Sequence, residues 1–221
     1  MYSKAAKKVI RIYLRDHFPH NQADQYHKLT DRQYRKFLED LPNLGGKKNS
    51  QAQSVYDCIA LFSLYEVLPE KPAAGVFEEL VNQLFAPAYR KIAFANMNRP
   101  TLQKLSAKIF AYLSRKGKAH AAEWKGNYCM HAEPYDPEVG VRFRFTFCPI
   151  ADFAKKHGYS HLMPAMCNPD YPTLQSIHAS LIRSKVCATD DCCDYWIVGD
   201  ESPLLKQHPL YRDDQGFLRN Q

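Results

Sequence analysis

Five of the seven cysteines, Cys148, Cys167, Cys187, Cys192 and Cys193, fall between Phe147 and Tyr195, together with His157, His161, His178, Asp170, Asp194 and Arg183. Thiols, imidazoles and carboxylates are the groups that build metal sites and activated nucleophiles. Their concentration in under a quarter of the chain places the chemistry there and leaves the remainder as scaffold.

Each residue has a functional and a plain reading. Cys148 follows an alternating run and precedes Pro149, a favoured first helical residue. A thiol there would feel the positive end of a helix dipole, which lowers its pKa and favours thiolate; the plain reading is a small buried apolar residue. Cys167 lies between Pro164 and Pro169, a pattern that predicts a loop, where reactive groups are commonly carried. Asp170 either caps the helix that follows or acts as a general base that orients water or a substrate amine. Cys192 and Cys193 are neighbours in a predicted strand and so face opposite sides. Cys193 travels with Tyr195 and Ile197, the more apolar company, and is expected to face inward; Cys187 reads as an ordinary buried residue. His161 is a candidate proton carrier or ligand near neutral pH, or a merely exposed side chain. Arg183, on a predicted second helix over Thr173–Ser184, could grip a substrate carboxylate with its planar fork, or form a surface ion pair.

Two chemistries fit three converging thiols. A thiolate could attack an electrophilic carbon while Asp170 or His161 handles protons. Alternatively Cys148, Cys167 and Cys193 could hold zinc, with an open position that activates water. Separations of 19 and 26 residues match no zinc-finger spacing, so a metal cannot be read from the sequence, and the metal-free route is preferred.

The elements that must position these groups divide near Ala121. Upstream, apolar residues recur at helical spacing: Val9 to Leu14, Tyr34 to Leu41, Val55 to Leu68, Val76 to Ala86 and Thr101 to Lys116, with breaks at Pro42, Pro69, Pro87 and Gly117. Leu44 to Ser50 is a turn with Ser50 as the expected N-cap; its two glycines lack the phosphate-loop pattern, and Asn49 could reach a pocket. Downstream, Val141-Arg142-Phe143-Arg144-Phe145-Thr146-Phe147 alternates with period two and predicts a strand with its apolar face inward. Pro149–Lys156 predicts a short helix and Cys193–Val198 a strand. The class expected is α+β: an N-terminal helical bundle or cap (1–120) on a small antiparallel sheet with two further helices (121–221).

The composition sets limits. With 45% apolar and 24% charged residues, the chain is an ordinary globular one. No run approaches the roughly 18 apolar residues of a membrane span. Lys4, Lys7, Lys8 and Arg11 interrupt any signal-peptide core, so a cytoplasmic location and reduced thiols are expected. The net charge of +7 is scattered with no nucleic-acid motif, so no nucleic-acid or membrane partner is expected. Self-association is left open.

Four phrases occur in order: Leu41-Pro42-Asn43-Leu44-Gly45-Gly46-Lys47-Lys48-Asn49, Phe147-Cys148-Pro149-Ile150-Ala151, Pro164-Ala165-Met166-Cys167-Asn168-Pro169-Asp170-Tyr171 and Thr189-Asp190-Asp191-Cys192-Cys193-Asp194-Tyr195. Together they resemble the L-2-amino-thiazoline-4-carboxylic acid hydrolase family, over about Arg32 to Val198. The segment Cys187-Ala188-Thr189-Asp190-Asp191 departs from the family's pattern, which carries glycine there. The resemblance implies an enzyme of amino-acid or secondary metabolism that hydrolyses a C–N bond of a small carboxylated cyclic amidine. Taken with the residue readings above, the candidates are Cys167, Asp170, Cys193, Cys148 and His161 as catalytic, with Arg183 and Asn49 for substrate. No cofactor is required, zinc being the alternative. The competing readings are a tailoring enzyme that forms or rearranges a heterocycle and a non-catalytic binding module with a cysteine-bound metal.

Overall fold

The computed structural model describes residues 2–221. The fold is α+β, with helices first and a small antiparallel sheet after them. Helix α1 (Lys4–His17) begins where the Ser3 hydroxyl accepts the Ala6 amide and the buried Asp57 carboxylate accepts the Ser3 amide at 2.6 Å. It packs with α2 (His20–Glu39) against α3 (Ala52–Val67). In α3 the residues Ile59, Ala60, Leu61 and Phe62 are all fully buried, so the helix is enclosed on every side. Rings tie α3 to the later half of the chain: Phe62 lies 5.7 Å from Phe153 and 5.3 Å from Tyr159.

The turn before α3 departs from expectation in one detail. Ser50 does not cap α3: Gln51 holds the N-cap position without a side-chain cap bond, and Asn49 closes the turn before it, its Oδ1 accepting the Gln51 amide at 3.0 Å and its carbonyl the Ala52 amide. Gly45 takes φ +84°, and the Trp124 indole lies 2.5 Å from the point a Cβ would occupy. Only glycine fits that pairing of backbone and ring. Helix α4 (Ala74–Arg90) runs through Pro87 instead of stopping, because a proline this near the helix end removes a single backbone bond. Helix α5 (Pro100–Ala119) likewise continues past Gly117.

The sheet contains β1 (Cys129–Ala132), β2 (Val141–Phe147), β3 (Ala179–Ile182) and β4 (Cys193–Gly199), in the order β1-β2-β4-β3 and antiparallel throughout. Register pairs Val141 with Ile197, Phe143 with Tyr195 and Phe145 with Cys193. These columns form the inner face, and Arg142 and Arg144 point the other way. Three short helices, not two, join β2 to β3: α6 (Pro149–Lys156), α7 (Met163–Cys167) and α8 (Asp170–Gln175). Cys167 therefore ends a helical turn that accommodates Pro164 in its first turn, and does not lie on a loop.

The helix expected over Thr173–Ser184 is corrected. It stops at Gln175, His178 adopts φ +53°, and Ala179–Ile182 pairs with β4 as an edge strand. The apolar run Ala179-Ser180-Leu181-Ile182 serves period two as readily as a helix, and β4 supplies the hydrogen bonds that decide it. A final hairpin, β5 (Leu210–Arg212) with β6 (Leu218–Asn220), folds back against this region. No helix is long and apolar enough to cross a membrane among the described residues.

Candidate active site

A cavity of about 330 Å³ opens between the inner sheet face and helices α3 to α8. The strands contribute Phe143, Phe145, Cys193, Tyr195 and Ile197, all from the alternating face established by the register. Helix α3 contributes Ser54 and Cys58, α4 Phe85 and Tyr89, and α5 Phe110 and Leu113. The remaining wall includes Cys148 immediately before α6, Met166 and Cys167 at the end of α7, and Asp170 at the start of α8. Residues 148, 167, 170 and 193, distant in sequence, thus line one hollow, while Cys192 faces away from it.

Arg183 anchors Asp170. The guanidinium is wholly buried; Nη1 donates to Asp170 Oδ2 at 2.8 Å, and Nη2 donates to the Cys167 carbonyl at 3.1 Å. The Tyr195 hydroxyl donates to the same Oδ2 at 2.7 Å. The rings of Tyr171 and Tyr195 stand 5.1 and 5.7 Å from the guanidinium carbon. Two donors therefore orient the carboxylate through one oxygen, while Oδ1 has no protein donor among the described residues. The assembly is held in turn by the last hairpin: Asn220 Oδ1 accepts the Arg183 amide at 3.0 Å and the Tyr171 hydroxyl at 3.1 Å. Arg219 binds Asp190 and Asp213, pinning the 184–194 connection. Asn168, fully buried, accepts the Leu218 amide at 2.8 Å.

These contacts revise three expectations. Arg183 does not line the cavity; it stands behind Asp170 just after β3, with Nη1 and Nη2 held by internal partners and Nε buried without one. Asn49 is not a lining residue either: its Nδ2 donates to the Leu44 carbonyl and to Asn127 Oδ1, fastening the turn before α3. His161 is exposed, 3.2 Å from the Tyr65 hydroxyl and outside the cavity, because the turn before α7 points it toward solvent. Cys187, read as an ordinary buried residue, instead lines the cavity, with its Sγ donating to the Phe145 carbonyl. Tyr195 and Tyr128 line it as well, and sequence reasoning missed them as site residues. The inward phase of β4 was the available signal for Tyr195.

All seven cysteines are free. Burial pushes the Cys148 thiol up to about 11; the Ala151 and Ile150 amides at the start of α6 oppose this, and the Asp170 charge adds to it. Of the two readings of Cys148, the buried one prevails over the helix-dipole one: desolvation outweighs the amides. Burial raises Cys193 to about 12, with Arg183 opposing, and holds Cys167 well above the ordinary thiol range. The hydroxyl of Tyr195 is likewise raised, by burial first and then by Asp170. Among the described residues, no three His, Cys, Asp or Glu side chains are grouped to hold a metal ion. Cys148 immediately before α6, Cys167 at the end of α7 and Cys193 at the start of β4 form no such group, so the zinc arrangement does not fit and no step is routed through it.

The model of a family described as L-2-amino-thiazoline-4-carboxylic acid hydrolase matches residues 51–197, two thirds of the chain. Its span begins beside α3 and closes within β4, and so includes every wall of the cavity. No curated protein and no solved structure matches.

Proposed function

The chain belongs to the L-2-amino-thiazoline-4-carboxylic acid hydrolase family, and from that premise we propose that it is a hydrolase that opens a thiazoline-type cyclic amidine at a C–N bond, using the Cys148, Cys167, Cys193 and Asp170 cavity without a metal. The observation that carries this reading is Asp170, which has one oxygen fixed by Arg183 and Tyr195 and the other free toward a hollow walled by thiols.

A protonated amidine is a planar cation with parallel N–H donors. Asp170 Oδ1 is placed to accept from it and to exchange a proton with it. Of the three thiols, Cys148 alone faces helix-start amides, those of Ile150 and Ala151, which makes it the best nucleophile. Its proton passes to Asp170 as sulfur bonds to the amidine carbon. The bond from that carbon to the ring nitrogen then breaks, and the nitrogen leaves with the electron pair and a proton. Water adds to the same carbon and the Cys148 thiol is released. One water is consumed overall, and the product carries a carbamoyl group and a free amine.

Turnover of L-2-amino-thiazoline-4-carboxylate, followed as a mass gain of one water, tests this. Asp170→Asn and Cys148→Ala should each reduce the rate at least a hundredfold with the fold intact by circular dichroism. A Cys148→Ala rate equal to wild type would move the nucleophile to Cys167 or to water. Wild-type rates for Asp170→Asn would remove the carboxylate from the mechanism.

A further inference from the structure

The cavity has no lysine, arginine or histidine among its described lining residues; Asp170 is its single charged side chain. Arg183, the nearby cation, is sealed behind that aspartate. A free carboxylate entering here would lose its water shell without a counter-charge, a cost that binding would have to offset elsewhere. Apart from Gln51, Ser54, Thr173 and the thiols, the rest of the lining is mainly apolar and ring-rich. Phe110 stands 4.3 Å from Phe143, Phe143 stacks on Tyr195 at 4.7 Å, and Phe145 meets Tyr195 edge to face at 5.6 Å. This aromatic wall begins at the residue that holds Asp170 and extends away from it to α5. At about 330 Å³ the hollow is of the size that receives drug-like ligands, about 300–1,000 Å³. A single five-membered ring leaves much of it unfilled.

We infer that the substrate is an uncharged derivative of the carboxylated ring, an amide or ester bearing an aromatic arm, with the amidine on Asp170 and the arm along Phe110, Phe143 and Phe145. This inference rests on the ring-opening reading for the amidine's position, and it concerns what the ring is attached to. The wall selects the arm by stacking and by burial of apolar surface.

Three probes separate the contributions: L-2-amino-thiazoline-4-carboxylate, its primary amide and its benzylamide, each titrated calorimetrically into the full chain. The benzylamide should bind at least tenfold more tightly than the free acid, with the primary amide between them. Phe110→Ala should weaken the benzylamide severalfold and the primary amide less than twofold; Leu113→Ala serves as a second wall variant if the first does not fold. Tightest binding by the free acid, or binding by none of the three, overturns the inference. Mass analysis of the same mixtures reports ring opening separately. Preferred binding of the benzylamide with no gain of water would uphold the inference and reject the hydrolase reading. Turnover of the acid alone would do the reverse.

Discussion

Arg183 reaches Asp170 from a position without solvent exposure, Nη1 to Oδ2 at 2.8 Å, while the aspartate side chain keeps 38% of its own. A charged group so placed is costly to leave unpaired and cannot be replaced by water. Arg183→Met should lower the unfolding free energy by about 3 kcal/mol, the low end for a broken buried pair because Asp170 can rehydrate. Arg183→Lys should not restore it, since an ammonium lacks the fork that serves Asp170 and the Cys167 carbonyl together. Urea denaturation measures both. An unchanged midpoint for either would show that the pair contributes nothing to the fold.

The thiols should behave by location. With iodoacetamide at neutral pH, peptide mapping should find exposed Cys129 labelled first and the cavity cysteines protected. Labelling of Cys148 should climb as pH passes through about 11. Its value is higher folded than unfolded, so the folded state binds the proton more tightly. The associated stability is complete below the ordinary thiol range and is lost as pH rises through about 11, at up to about 1.4 kcal/mol per pH unit for each such group. Denaturation at pH 8 and pH 10.5 should show that fall, and Cys148→Ala should reduce its slope. A slope unaltered by the substitution would exclude this thiol as a contributor.

Gly45→Ala tests the turn that precedes α3. A side chain at φ +84° costs about 1–2 kcal/mol in backbone strain alone. The Trp124 indole must also move to admit the methyl, so a total of about 3 kcal/mol is expected. Thermal unfolding with Trp124 fluorescence as the probe would detect both effects. An indole spectrum and midpoint like those of wild type would rule out the close approach.

Asn220→Ala would leave the Arg183 amide and the Tyr171 hydroxyl without their shared acceptor. The Tyr171 hydroxyl keeps the Leu218 carbonyl at 3.1 Å, so the Arg183 amide alone is orphaned; a buried donor left unpaired costs about 1–3 kcal/mol, and a loss of about 2 kcal/mol is expected. Turnover should fall with it because the Arg183 backbone positions the Asp170 partner. Stability lost without any change in kcat would mean that the hairpin supports the fold alone.

The sequence disclosed those parts whose patterns are local. The alternation from Val141 to Phe147 and the company of Cys193 gave the inner sheet face, and proline and apolar spacing gave the N-terminal helices. What stayed hidden depends on contacts distant in the chain. Ala179–Ile182 takes its conformation from β4, and the burial of Arg183 follows from Asp170, Cys167 and Asn220 together. No periodicity announces either. The last hairpin had a usable signal, Asp213-Asp214-Gln215-Gly216 between two short apolar runs, and its role emerges only from Asn220 and Arg219. At Cys148 both the helix-start amides and burial were legible, whereas which of them prevails was not.

The guanidinium behind Asp170 separates two tasks that many enzymes combine. Because the cation sits behind the carboxylate, substitutions in α5 and β2 would change what the hollow admits while leaving Asp170 anchored.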